Sequence, residues 1–314
     1  MIRQRTLSQP ISSTGVGLHT GRNVYMALSP APLNTGIVFR LDTGSQTVAI
    51  EAIAENVVST ELATTLGDNN GNTISTIEHL MAAFSGLGID NCYVDLSAGE
   101  VPIMDGSAAP FFYLIQTAGV REQNGAKRFI RVKQAVSVQI DNKWARLEPY
   151  DGFRVNFEIN YDHPAISKRL QRAEFDFSSA SFVREISRAR TFGFTRDIEM
   201  LRERNLALGG SLDNAIVVDS FRVLNKHGLR YQDEFVRHKI LDAVGDLYQL
   251  GSNVIGQFSG YMAGHGLTNR LVRELLLHPE SWEEITLEET HPSMVYPQSA
   301  LDANSTVKVA TASI

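Results

Sequence analysis

The chain has 314 residues, with 29 Lys and Arg against 35 Asp and Glu, a formal net charge of -6 and 43% hydrophobic residues. At roughly 150 residues per domain this length suggests two domains, and the mixture is globular, which excludes general disorder. Mild acidity without a basic run excludes a nucleic-acid footprint, no apolar stretch reaches about 18 residues, and the single cysteine, Cys92, excludes disulfides and thiolate metal clusters. Any metal site must therefore use His and carboxylates. Residues 1–14 are basic but have no apolar run, so no signal peptide is expected and a cytoplasmic protein is the default.

In chain order, the first 60 residues read as strands and turns, with short apolar runs at 24–28 and 37–41. Asp68 to Asn72 has strong turn chemistry. Ile77, Leu80, Met81, Phe84 and Leu87 then repeat at helical spacing, with Ser75 and Glu78 as a capping-box pair and Gly86 or Gly88 as the stop. Residues 92–96 alternate like a strand, and a turn at 102–107 leads into a helix at about 108–118. The polar stretch 121–127 is the expected domain boundary. Beyond it, 129–140, 144–149 and 153–161 read as a meander, followed by a strand at 175–177. A helix is expected from a cap at Ser178 or Ser179 to Ala189, a short helix over 198–206, a break at Gly209-Gly210 and a strand over 215–218. The longest helix is expected over 233–250, and residues 303–314 should be frayed. The order implies α+β layers, each a sheet with a helix pair on one face.

Four segments carry chemistry. His238 and Asp242 are four apart on the long helix, so both can reach one metal ion, and Asp246 extends the same stripe. Spacing alone equally allows a His–Asp hydrogen bond on a solvated face. Glu78-His79 sets a carboxylate beside an imidazole in the first turn of a helix, as base and ligand or simply as a cap. His265 lies between Gly264 and Gly266, which argues for an irregular backbone; Asp246 could hold it charged. The run Gly15-Val16-Gly17-Leu18-His19-Thr20-Gly21 lacks dinucleotide-binding spacing and reads alone as a strand turn.

Together with Pro102-Ile103-Met104-Asp105-Gly106-Ser107, Ser187 to Phe194 and Leu208 to Ser211, these segments resemble the UDP-3-O-acyl-N-acetylglucosamine deacetylases, zinc amidases of lipid A biosynthesis. The resemblance runs over roughly residues 1–297. It implies two β-α-α-β domains facing each other, each with a small insert, with the active site between them. The expected limits are 1–126 and 127–297, with the second insert at about 193–230 and a flexible tail at 298–314. It implies one zinc ion per chain (or iron(II) in the cell) on His79, His238 and Asp242. Glu78 is then the general base and His265, held as imidazolium by Asp246, the second catalytic group. Thr191 serves the oxyanion and Lys239 helps to bind substrate. His19 lies at the mouth of the site. Phe192, Phe194, Ile198, Gly210, Ala215 and Val217 line the acyl passage, while Lys143 and Tyr161 serve the nucleotide. Position 161 is usually Phe and position 160 acidic, whereas this chain has Asn160-Tyr161. The implied substrate is UDP-3-O-(3-hydroxyacyl)-N-acetylglucosamine, with no nucleic-acid partner, no transmembrane segment and a monomeric state. Two other readings stay open. One is a zinc hydrolase for another N-acyl sugar, which a substrate panel separates. The other is a metal-free module for acyl-nucleotides, which metal analysis separates.

Overall fold

The computed structural model describes residues 1–177 and 181–287. Two sheets carry the fold. The first has five strands in the order Ile11–Val16, Asn23–Pro30, Cys92–Leu96, Ile37–Asp42, Thr47–Glu51. Period-two alternation turns Val24, Met26 and Leu28 into the core. The second sheet has seven strands and is organised by Asn253–Tyr261. That strand pairs antiparallel with Lys143–Glu148 and parallel with Phe153–Glu158 and Phe129–Val132.

This pairing corrects the expected meander. Lys143–Glu148 and Phe153–Glu158 are consecutive strands, yet Asn253–Tyr261 lies between them. A strand bonded on both edges is a long-range arrangement, and no local turn signal announces it. The polar stretch expected as a boundary is also a strand. Val120–Ala126 pairs antiparallel with Arg3–Leu7.

Five α-helices complete the described fold: α1 (Glu78–Leu87), α2 (Ala109–Ala118), α3 (Thr195–Glu203), α4 (Glu234–Leu247) and α5 (His265–Leu277). Helix α1 packs along α4, and α4 also touches α5 and strand Phe153–Glu158. Helix α5 covers strands Val136–Ile140 and Lys143–Glu148. One continuous apolar core links the two halves, with Leu80, Phe84, Phe112, Ile240, Leu241 and Phe258 all buried. The segment before α3 is a π-type turn over Phe182–Ile186, shorter than the expected helix to Ala189. Its expected caps, Ser178 and Ser179, and the expected tail at 298–314 lie outside the described residues.

Two expectations about α1 and α4 change. No side chain caps α1: Glu78 accepts from the Thr64 backbone N–H at 3.1 Å instead of closing a box with Ser75. The chain enters α1 through Thr76 at φ 61, a conformation unfavourable for a β-branched residue, with its hydroxyl donating to Glu100. The second change concerns α4, which has no solvated stripe through its chemistry-bearing residues. His238, Asp242 and Asp246 are as buried as Ile240 and Leu241 on the other side. The physical reason is that α1 lies on that stripe.

The crossing of α1 and α4 is tight at one point. A Cβ on Gly245 would stand 2.0 Å from the Glu78 carbonyl oxygen and 2.9 Å from its carbon. Both obstacles are backbone, so no side chain can swing aside. Gly245→Ala should therefore cost about 1–3 kcal/mol of stability through overpacking. Gly193→Ala, where an added Cβ meets nothing within 4 Å, should stay within about 0.5 kcal/mol. Urea unfolding of the two metal-free variants checks the contrast.

Candidate active site and metal centre

The α1–α4 crossing brings His79, His238 and Asp242 together. One ligand atom from each lies within 4.8 Å of the others, and all three residues are buried. His79 Nε2 is 3.5 Å and His238 Nε2 3.3 Å from Asp242 Oδ1. Yet that oxygen is buried without a hydrogen-bond partner. The rings meet edge to face at 4.9 Å between centroids. Two imidazole nitrogens facing one orphaned carboxylate oxygen make a donor set with nothing between them to share.

The protonation states suit a cation. His238 Nδ1 lies 3.0 Å from the Ala189 carbonyl, so Nδ1 carries the proton and Nε2 keeps its lone pair toward the cluster. Burial pushes His238 down to about 3, so the ring is neutral at ordinary pH. Burial works against ionised Asp242, but its neighbours, the Lys239 ammonium among them, outweigh it and hold its carboxyl well below the usual range. The Lys239 ammonium donates to Asp242 Oδ2 at 2.5 Å, leaving Oδ1 for the cluster. A deprotonated carboxylate and neutral imidazoles are what a metal ion requires of its ligands. The residues fit a metal ion.

Two further groups flank the cluster. Glu78 Oε2 is held by Thr64 N–H, and Oε1 faces His265 Nε2 at 4.0 Å. Burial pushes Glu78 above the ordinary carboxyl range, although His265 opposes it. His265 Nδ1 is 2.8 Å from Asp246 Oδ2. Burial disfavours the imidazolium, but Asp246 overcomes that cost and His265 is pushed up to about 9. Asp246 is itself fixed by the Thr64 hydroxyl at 2.7 Å. His265 is the first residue of α5, with Gly264 as its N-cap. This corrects the reading of an irregular backbone, since the flanking glycines mark a helix start.

An apolar cavity of about 590 Å³ opens beside this cluster. His19, Tyr161, Thr191, Phe192, Phe194, Ile198, Gly210, Ala215 and Val217 all line it. Tyr161 packs against Phe192 and Phe194 at 5.7 and 5.5 Å between centroids. Phe192 in turn lies edge-on to the His238 ring at 6.3 Å, which joins the cavity to the His79–His238–Asp242 cluster. Among the expected residues, Lys143 joins neither group. It stands exposed, paired with Ile140 beside the hairpin turn. Asn160 donates to the Tyr261 hydroxyl.

The sequence reading missed two supports of the site. Glu100 is fully buried and accepts from His19 N–H at 2.8 Å, Thr20 N–H at 2.9 Å, the Thr20 hydroxyl at 2.6 Å and the Thr76 hydroxyl at 3.2 Å. A lone glutamate in a loop has no spacing signal, and only its burial reveals it. The second support is the Arg190–Glu234 pair. Glu234 is fully buried and takes Arg190 Nε at 2.9 Å, Nη2 at 3.1 Å and the Arg190 N–H at 3.0 Å. This clamp ties the segment carrying Ala189 and Thr191 to the start of α4. Arg190→Met strands the Glu234 charge, so it should cost about 3–5 kcal/mol in unfolding measurements on metal-free protein.

The comparisons agree with this geometry. The family profile described as UDP-3-O-acyl N-acetylglycosamine deacetylase matches residues 4–277. A protein of Thioalkalivibrio sulfidiphilus (strain HL-EbGR7) is 60% identical over 93% of this chain and 96% of its own length. Proteins of Hahella chejuensis (strain KCTC 2396) and Methylococcus capsulatus (strain ATCC 33009 / NCIMB 11132 / Bath) are 59% and 60% identical over 92% of this chain and 95% of theirs. All three carry the name UDP-3-O-acyl-N-acetylglucosamine deacetylase. With a profile covering most of the length and relatives this similar, the chain belongs to the UDP-3-O-acyl-N-acetylglucosamine deacetylase family.

Proposed function

We propose that this protein hydrolyses the acetamide of UDP-3-O-(3-hydroxyacyl)-N-acetylglucosamine to the free amine and acetate, the committed step of lipid A biosynthesis. The observation that carries the reading is the buried His79–His238–Asp242 cluster, flanked by Glu78 and His265, beside an apolar cavity. His79, His238 and Asp242 would hold zinc; nitrogen ligands with one carboxylate suit that ion. When bound, zinc supplies Lewis acidity, polarising a carbonyl oxygen and making water nucleophilic at neutral pH.

The protein's own residues do the rest. Glu78 takes a proton from water as the water oxygen attacks the acetamide carbon. Its raised pKa makes it a better base than a solvated carboxylate. The Thr191 hydroxyl is a donor for the developing oxyanion. The C–N bond then breaks and its electron pair leaves with nitrogen. An amine anion cannot leave, so His265 donates a proton from Nε2 while Asp246 holds Nδ1. Lys239 neutralises Asp242 and orients it. The cavity takes the acyl chain, and Tyr161 offers an aromatic face for the nucleotide. No described helix is long and apolar enough to cross a membrane. We take the chain to act as a cytoplasmic monomer on a substrate presented from water.

Three outcomes test this. Acetate release from the acylated UDP-sugar should vanish after dialysis against a strong chelator and return with substoichiometric zinc; full turnover in demonstrably metal-free protein overturns the assignment. Glu78→Gln keeps an acceptor for Thr64 N–H and should give a folded, metal-loaded enzyme slowed about 10²–10⁴-fold. The third outcome concerns pH. Asp246 raises His265, so the imidazolium persists to higher pH than free histidine would allow. Activity that needs this acid falls as pH rises through its pKa. Asp246→Asn removes the attraction, lowers that pKa and should move the alkaline limb to lower pH. An unmoved limb assigns that ionisation to another group.

A further inference from the structure

Glu78 Oε1 and His265 Nε2 stand 4.0 Å apart, beyond hydrogen-bond distance. A carboxylate and an imidazolium attract each other strongly where water is excluded. If either side chain were free to swing, the two would close into one ion pair. The carboxylate would then be occupied by the imidazolium proton, and neither group could serve water or a leaving nitrogen. Something must hold them apart.

One residue reaches both sides. Thr64 N–H donates to Glu78 Oε2 at 3.1 Å, and the Thr64 hydroxyl donates to Asp246 Oδ1 at 2.7 Å. Asp246 Oδ2 in turn holds His265 Nδ1 at 2.8 Å. The four residues form a ring of hydrogen bonds with a single open side, between Glu78 and His265. Both anchors are atoms of one residue, so covalent geometry within Thr64 sets how far apart the two carboxylates are held. Thr64 itself is well fixed. Its carbonyl accepts Ile77 N–H at 3.4 Å at the entry to α1, and the residue is only 1% exposed. Two residues earlier Leu62 has φ 63, a left-handed conformation that a leucine keeps only where its surroundings determine the backbone. Asp246 Oδ1 has a second donor, Gln249 Nε2, but at 3.4 Å. Gln249 lies in the turn that directly follows α4, so it cannot tie Asp246 to α1.

We propose that Thr64 is a positioning residue for the hydrolysis, keeping Glu78 and His265 apart and separately available by holding one through its N–H and the other, by way of Asp246, through its hydroxyl. The inference rests on the reading of Glu78 as base and His265 as acid. Thr64 does not line the cavity. It therefore acts on the reaction only through these side chains, and its hydroxyl contributes to turnover and not to substrate binding.

The test measures kcat and KM separately for acetate release from the acylated UDP-sugar in zinc-loaded enzyme. Thr64→Val keeps the N–H and the side-chain shape and removes the hydroxyl. It should lower kcat by roughly tenfold or more, the worth of a hydrogen bond to a charged group. KM should stay unchanged, as expected for a contact that matters only in the transition state. Thr64→Ser puts the hydroxyl back and should restore kcat. Zinc content and melting temperature are measured for each variant. Should Thr64→Val not fold, Thr64→Ala removes the same hydroxyl and takes its place. A kcat like the parent's in the variant without the hydroxyl, a loss that appears in KM instead, or a loss that Thr64→Ser does not recover each overturns the proposal, while the parent's acetate release still stands. A parent that releases no acetate overturns the deacetylase reading, and the proposal falls with it.

Discussion

The closest approach in the molecule that matters for its chemistry is backbone against backbone. The Glu78 carbonyl lies where Gly245 would carry its Cβ. Because Gly245 is three residues beyond Asp242 and next to Asp246, this contact sets the depth at which α1 sits on the stripe His238, Asp242, Asp246. His79 on one helix and His238 and Asp242 on the other then share a pocket only a few ångströms across. The same contact places Glu78 next to His265, because Asp246 on that stripe holds the imidazole at 2.8 Å.

Burial works against the charged forms of Glu78, His238, Asp242 and His265 alike, and the neighbours decide the outcome. His238 has a backbone carbonyl on Nδ1 and stays neutral. His265 has a carboxylate on Nδ1 and stays charged. Two histidines in one pocket thus take opposite states through one difference in partner. Asp242 keeps its charge against burial because Lys239 lies on its outer oxygen. Glu78 takes one backbone N–H and faces His265 across 4.0 Å, and burial still raises it. Within one cluster a neutral imidazole, an imidazolium, a low-pKa carboxylate and a raised one are sorted by their partners, which are the states the proposed mechanism needs.

The rest of the structure holds the substrate side rigid. Glu100 gathers the His19–Thr20 backbone and the Thr76 hydroxyl onto one buried carboxylate, which joins the glycine-rich loop to the strained entry of α1. The turn at Gly106 accepts the Thr191 N–H at 2.8 Å, and Thr191 stands two residues from the carbonyl that orients His238. Arg190, between them, is clamped to Glu234 at the head of α4. Loop, turn and helix are therefore connected by short chains of hydrogen bonds, and the cavity wall and the His79–His238–Asp242 cluster cannot drift independently.

Much of this was legible from residues in order. The helical period over Ile77 to Leu87 and the i,i+4 spacing of His238 and Asp242 are local properties, set by 3.6 residues per turn, and the structure keeps both. The motif set was enough to indicate the family before any geometry, and the three residues it singled out as ligands lie together in the structure. What local pattern could not carry were facts about the far side of a residue. Nothing near Ser75 and Glu78 says that the carboxylate turns away from the cap toward Thr64, a residue that Asp246 of the distant α4 fixes in place. Nothing in 253–261 says that this strand separates two consecutive ones, because its partners come from elsewhere in the chain. Glu100 and Gly245 are an ordinary glutamate and an ordinary glycine in sequence. Their roles arise only where separate segments meet, because burial and close approach are properties of pairs of elements and not of either one alone.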